Sequence, residues 1–293
     1  MDDAMSNGIF KVDNTKAPSP LGGISKLFSL KGKTAIISGA AAGIGLAVGE
    51  AYAEAGANVA LWYYSNKAAV ERAAEIEKKY GVKCRAYQVN VCDAQATVDA
   101  VNQSVQDLGG RLDIFVANSG IPWTQGAMVD GSIEHYRKVM ETDVDGTFYS
   151  ARACAPIWRR QKQEGTDING NKLENFTLGS FIVTASMSAH IVNIPQLQAA
   201  YNAAKAACLH LCKSLAVEWV QFARANSVSP GYIVTEISSF APAEHKATWL
   251  EKIPMGRQGE AHELSGAYLY LASDAASYTT GTDIIVDGGY CLP

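Results

Sequence analysis

The chain has 293 residues, 48% of them hydrophobic, enough to bury a full core as one large domain or two small ones. A formal net charge of −4 and a pI near 5.8 provide no basic surface to hold a phosphate backbone, which argues against nucleic acid as a partner. The start, Met1-Asp-Asp-Ala-Met, has no basic or apolar targeting segment, and no apolar run approaches the ~20 residues of a membrane span, so a cytosolic protein with no membrane partner is expected.

Residues 1–30, with Pro18, Pro20 and Gly22-Gly23 among polar residues, read as an N-terminal arm preceding one domain over 31–293. Thr34-Ala-Ile-Ile-Ser38 is a β-rich run entering the glycine turn Gly39-Ala-Ala-Ala-Gly43-Ile-Gly45, and a helical pattern follows to Ala55 and stops at Gly56. A second strand at 59–63, a charged helix at 67–79, a third strand at 84–89 and a helix at 94–108 continue the alternation. Strands at 112–117, 180–184, 224–228 and 283–287 follow, with helices near 132–160, 199–219 and 261–272. Seven strands alternating with helices predict an α/β fold, a doubly wound parallel Rossmann sheet with helices on both faces. Residues 161–179 are polar and read as a protruding loop, and Asn175-Phe-Thr177 is a glycosylation sequon that a cytosolic protein leaves unused.

The six cysteines form no C-x-x-C pair and the five histidines no H-E-x-x-H pattern, so buried thiols and no metal site are expected, even for Cys208 and Cys212 on one helix face. Tyr201 and Lys205 stand four apart in a helical pattern, which puts phenol and ammonium on one face, and a nearby cation lowers a tyrosine pKa from its ordinary ~10. The bland alternative is a pair snorkelling from an amphipathic helix. The glycines at 39, 43 and 45 follow a strand and open a helix, where backbone N–H groups and the helix dipole receive a pyrophosphate. At the end of the second strand, Trp62-Tyr-Tyr-Ser-Asn-Lys67 has no acid to bind a ribose 2′-hydroxyl, and Ser65, Asn66 and Lys67 offer donors to a 2′-phosphate, which favours NADP(H) over NAD(H). The same polar residues also suit a turn that caps the next helix.

The glycine turn, Ala117-Asn-Ser-Gly120, a serine after the fifth strand, Tyr-x-x-x-Lys and Ser229-Pro-Gly-Tyr-Ile-Val-Thr235 resemble, in order and spacing, the short-chain dehydrogenase/reductase family over residues 33 to 291. The resemblance implies proton transfer by Tyr201, and a Lys205 that bonds the nicotinamide ribose and lowers the Tyr201 pKa. It also implies a serine hydroxyl on the substrate oxygen. Ser186 and Ser188 compete for that role. Position at the strand end selects Ser186, whereas the commonest spacing to the tyrosine selects Ser188; Ser186 is preferred because the following loop is two residues longer than usual. Asp143 occupies the slot of the family's tetrad asparagine, where it adds a charge or serves only as a polar helix residue. For the cofactor, the resemblance assigns Gly39, Gly43, Ile44, Gly45, Tyr64, Ser65, Asn66 and Asn118, with Asn90 and Val91 at the adenine. It further assigns Pro230, Gly231 and Ile233 at the nicotinamide and Thr235 at the pyrophosphate.

Segments 59–66, 191–198 and 287–290 resemble the family's fungal subgroup of NADPH-dependent sorbose reductases, mannitol 2-dehydrogenases and carbonyl reductases. The expected substrate is thus a small ketone or polyol. Phe240, Pro242, Trp249 and Ile253 in a lid at about 235–255, with Trp123, Ile194 and Leu197, would give it aromatic and aliphatic walls. The alternatives are a 3-oxoacyl-thioester reductase and a non-catalytic NADP-binding regulator. The family also implies a homotetramer joined near 132–160, 199–219 and the C-terminal strand.

Overall fold

A computed structural model describes residues 5–6, 9–17, 23–235 and 242–292. Seven strands form one all-parallel sheet: β1 (Thr34–Ile37), β2 (Asn58–Tyr63), β3 (Cys84–Gln88), β4 (Ile114–Ala117), β5 (Gly179–Thr184), β6 (Ala223–Pro230) and β7 (Asp283–Val286). Their spatial order is β7-β6-β5-β4-β1-β2-β3. The order reverses between β1 and β4, and the carboxyl ends of those strands diverge there into a crevice, the place where open α/β sheets hold ligands.

Strand side chains alternate between two apolar layers, as the two-residue period requires. Ile36, Phe115 and Phe181 face the layer that contains Trp62, Trp158 and Cys208. Their neighbours Ile37, Val116 and Ile182 face the opposite layer, with Val48, Tyr52 and Tyr268. In the first layer Phe115 packs edge-on against Trp62 at 5.3 Å between centroids and stacks on Phe181 at 5.8 Å. Each such side chain contributes ~1.5–3 kcal/mol on burial, so this aromatic row is a main source of the sheet's rigidity. The polar ends are satisfied: Trp62 Nε1 donates to Ser104 Oγ at 3.0 Å and Trp158 Nε1 to Leu112 O at 3.1 Å.

After a short helical turn at Ile24–Leu27, the longer helices are α1 (Gly43–Glu54), α2 (Ala68–Tyr80), α3 (Ala94–Asp107), α4 (Ile133–Met140), α5 (Gly146–Glu164), α6 (Ala199–Glu218), α7 (Ala243–Lys252) and α8 (Ser265–Ala272). Three segments differ from those expected. The helix read over 132–160 is two helices joined by a π-helical turn, Glu141–Asp145, which turns the Asp143 side chain into the interior. The loop read from 161 starts later, because the buried Gln161 donates to Leu112 O at 2.7 Å and accepts from Leu112 N at 2.8 Å, and α5 runs on to a left-handed Gly165. The shortened loop is tied by Asp167, which accepts from the backbone N–H groups of Asn169 and Asn171 at 2.8 and 2.9 Å. The 261–272 region splits into a 3₁₀ turn, Ala261–Leu264, and α8.

Residues 9–17 of the arm are mostly exposed, and Asn14 accepts from Gln221 at 3.3 Å. The arm residues Pro18, Pro20 and Gly22 and the lid residue Phe240 lie outside the described residues. Among the described residues, no helix is long and apolar enough to cross a membrane.

Candidate active site

The crevice holds a cavity of about 450 Å³ that reaches from the glycine turn and the end of β2 to the loop after β5 and the first turns of α6. Gly39 and Gly43 have φ of 62° and 57°, a left-handed geometry that glycine adopts without strain. The N-cap of α1 is Ala42, which has no side chain to bond the first-turn N–H groups, so these donors open onto the cavity beside Gly43 and Ile44. Gly45 stands outside the lining. A Cβ there would lie 2.6 Å from Asn118 Nδ2, so Gly45 permits close packing of turn on strand instead of touching a ligand. Asn118 lines the cavity and also staples it: Nδ2 donates to Ser38 O and Gly39 O at 3.1 Å, and Oδ1 accepts from Thr184 Oγ1 at 3.1 Å.

Tyr64, Ser65 and Asn66 line the far end, whereas Lys67 does not. Asn66 lines the cavity, and its Oδ1 also accepts from Ala68 N at 3.1 Å at the start of α2, the bond that the turn reading expects. Asn90 and Val91, expected at the adenine, lie outside the lining of the cavity. Asn90 Oδ1 accepts from Cys92 N in a local turn, and Val91 packs against the Cα of Gly146. Pro230, Gly231, Ile233 and Thr235 line the opposite wall. Gly231 is held close to β7, where a Cβ would lie 2.6 Å from Asp287 Cα.

The reactive groups converge at the middle of the cavity. Tyr201 and Lys205 share one face of α6, with Lys205 Nζ 5.5 Å from the Tyr201 ring centroid. Lys205 Nζ donates to Thr184 O at 3.1 Å and pairs with Asp143 Oδ2 at 3.2 Å, and Asp143 Oδ1 accepts from Ile121 N at 2.8 Å. The Ser186 hydroxyl is near enough to the Tyr201 phenol to favour its ionised form, and its Oγ accepts from Ser188 N at 3.1 Å, which fixes its rotamer. Ser188 faces another way: its hydroxyl donates to Asn193 Oδ1 at 2.8 Å and accepts from Gln198 Nε2 at 3.0 Å. The two serines are thus separated by their partners, with Ser186 alone set against the phenol.

The electrostatics correct one expectation. Burial raises the Tyr201 pKa above the ordinary phenol value; Lys205 and the Ser186 hydroxyl pull it down, but Asp143 pushes it up again and the net shift is upward. Burial likewise pulls Lys205 down, and Asp143 and Tyr201 more than offset this, so the ammonium ends above the ordinary lysine range. Burial raises the Asp143 carboxyl, with Lys205 opposing. A neutral phenol beside a fixed cation is the state that can give a proton to a carbonyl oxygen.

The aromatic and aliphatic residues expected at the substrate end mostly lie elsewhere, and amides join Met187, Tyr232 and Trp249 in the lining. Trp123 is buried apart, its Nε1 donating to Gly126 O at 2.7 Å; Ile194 and Leu197 face solvent; and Ile253 packs with Met187 and Tyr290. Pro242 is exposed, and of the named wall residues among those described only Trp249 lines the cavity. Asn193, Gln196, Gln198 and Tyr232 line it instead. The signal for them is present in 191–198, where amides interrupt an apolar run between Ser186 and Tyr201.

A family model described as enoyl-(acyl carrier protein) reductase matches residues 39–291. An L-xylulose reductase of Hypocrea jecorina is 62% identical over 99% of this chain and 100% of that protein. The chain belongs to the short-chain dehydrogenase/reductase family. A sorbose reductase of Candida albicans is 49% identical over 95% of this chain and 94% of that protein. Among solved structures, an NADPH-dependent 3-quinuclidinone reductase from Rhodotorula rubra superposes with a TM-score of 0.87 at 40% identity, covering 95% of this chain and 98% of that one. In this short-chain dehydrogenase/reductase Asp143 is ion-paired with Lys205.

Proposed function

We propose that the protein is an NADPH-dependent reductase that converts the carbonyl of an open-chain ketose into a secondary alcohol. The observation that carries this reading is the convergence of Ser186, Tyr201 and Lys205 on a cavity whose other arm ends at an uncapped helix N-terminus and an acid-free strand end. The residues fit the cofactor. First-turn N–H groups at Gly43 and Ile44 suit a pyrophosphate, Ser65 and Asn66 suit a 2′-phosphate, and Lys205 suits the nicotinamide ribose. Bound NADPH supplies the hydride. Ser186 donates to the substrate oxygen as charge builds on it, Tyr201 gives that oxygen its proton, and Asp143 holds Lys205 in place. The names of the xylulose and sorbose reductases support a sugar substrate, and so do the amide walls at the substrate end.

The same reading includes a homotetramer, supported by half-exposed apolar side chains at Phe148 on α5, Val217 on α6 and Ile285 on the edge strand β7; light scattering on the purified protein tests it. It places the enzyme in the cytosol, as six free thiols suit a reducing compartment.

The test is NADPH oxidation by purified protein with L-xylulose, L-sorbose, fructose, an acetophenone-type ketone and a 3-oxoacyl thioester. Turnover on the ketoses, lost in Tyr201→Phe, is expected. A preference for the thioester would make the protein an acyl reductase, and NADPH binding without turnover on any substrate would make it a non-catalytic binder.

A further inference from the structure

The substrate arm of the cavity contains two polar groups that the protein leaves without partners. Trp249, on α7, is 2% exposed and lines the cavity, and its indole Nε1–H has no acceptor in hydrogen-bond geometry among the described residues, the hydroxyl of the stacked Tyr232 being its weak neighbour. The ring is held rigidly, stacked on Tyr232 at 3.9 Å between centroids with 11° between planes. A buried N–H with no acceptor is costly and rare, so an orphan in a cavity wall points to an acceptor that arrives with the ligand.

The second group is the Gln198 amide. Its Nε2 lies within hydrogen-bond distance of three acceptors: Ser188 Oγ at 3.0 Å, Asn193 Oδ1 at 2.8 Å and Asn202 Oδ1 at 3.0 Å. An amide nitrogen has only two hydrogens, so this crowd of acceptors fixes which end of the amide points inward to the network. The opposite end, Oε1, has no protein donor among the described residues, and Gln198 lines the same cavity one residue before α6. One wall therefore presents a buried donor without an acceptor, and the other an amide oxygen open to the cavity.

We propose that Trp249 Nε1 and Gln198 Oε1 form a hydroxyl-binding subsite that selects polyhydroxylated chains over ketones without hydroxyls beside the carbonyl. This deepens the ketose-reductase reading and rests on it. A hydroxyl both donates and accepts, so neighbouring hydroxyls on a sugar chain satisfy both groups. A ketone without them leaves the buried indole N–H unpaired, and a site built to bond a hydroxyl rejects the analogue lacking it more strongly than an apolar wall does. Gln198 abuts the helix that carries Tyr201 and Lys205, so a hydroxyl held there also registers the carbonyl against Tyr201.

The test compares kcat/KM for L-xylulose with that for 3-quinuclidinone, which has no hydroxyl. Trp249→Phe keeps an aromatic ring over Tyr232 and removes the N–H together with one ring of the indole, a loss of volume that both ketones feel alike. The ratio of the two values is expected to fall at least tenfold in this variant. A merely structural tryptophan would move both values together, and an unchanged ratio overturns the proposal. Deoxy analogues of the ketose, assayed with the unmodified enzyme, give a second reading independent of any variant's folding. At least one deoxy position is expected to lose tenfold or more in kcat/KM, and equal turnover of all of them overturns the subsite. If the unmodified enzyme reduces 3-quinuclidinone but no ketose, the function reading falls along with the subsite. If it reduces ketoses with an unchanged ratio in Trp249→Phe, only the subsite falls.

Discussion

The Asp143 carboxylate lies 3.2 Å from the Lys205 ammonium, both almost wholly buried, so the cation nearest the Tyr201 phenol is matched by an anion of equal charge. The groups facing the phenol sort by sign: Lys205 and Ser186 favour its ionised form, and Asp143 and Cys208 oppose it. In ketone reduction the phenol must arrive protonated, and in alcohol oxidation it must be ionised to accept the proton.

Asp143→Asn removes the anion and leaves Lys205 uncompensated, so the Tyr201 pKa falls. Activity in reduction is lost as pH rises through that pKa, and activity in oxidation is gained. Both limbs are therefore expected to move to lower pH in the variant. Full pH–rate profiles of kcat in the two directions check this. Limbs that stay in place, or move to higher pH, would show that Asp143 does not tune the phenol.

Gly120 supplies the same site with space. A Cβ there would lie 2.9 Å from Asp143 Oδ2 and 3.1 Å from Lys205 Nζ, so Gly120→Ala forces the ion pair apart or aside. Overpacking of this kind costs roughly 1–3 kcal/mol of stability. Urea denaturation should show that loss, and the surviving enzyme should show a lower kcat, since Lys205 is displaced from under Tyr201. Wild-type stability and rate together would mean that the pair moves freely.

The two serines separate cleanly by substitution. Ser186→Ala removes the hydroxyl set against the phenol and is expected to lower kcat by about 10²–10³-fold, the loss typical of one oxyanion donor. Ser188→Ala leaves Asn193 and Gln198 without a shared partner, so its effect should fall on KM for the ketone and on loop order. Equal kcat losses in the two variants would assign the oxyanion role to neither serine alone.

What was legible in the sequence followed local rules. The seven strands and their alternation with helices are written in the apolar period, and the glycine turn and Tyr201–Lys205 pair in their spacing. What was not legible depends on how elements meet. A π turn inserts its extra residue without any glycine or proline to announce it, so the inward rotation of Asp143 was hidden. The net sign of the Tyr201 shift depends on burial and on an anion brought from another helix, neither of which an i,i+4 spacing contains. The walls of the substrate arm went wrong for a related reason: Trp123, Ile194, Leu197 and Ile253 are apolar and near the site in sequence, but each finds an apolar pocket or solvent elsewhere, and the amides between them turn inward.

The end of β2 offers a decisive test of cofactor choice. Tyr64 is exposed, and Ser65 and Asn66 line the cavity with no carboxylate beside them. Ser65→Asp would place a negative charge where a 2′-phosphate is read, and repulsion at a screened surface site should lower the NADPH-to-NADH ratio of kcat/KM on the order of 10- to 100-fold. Asn66→Ala asks the complementary question. Because Asn66 Oδ1 also accepts from Ala68 N, its loss should weaken the start of α2 by about 0.5–2 kcal/mol. If it also binds phosphate, KM for NADPH rises while KM for NADH stays put. A fall in stability with both KM values unchanged would reduce Asn66 to a helix cap, and an unaltered ratio in Ser65→Asp would move the phosphate site away from this strand end.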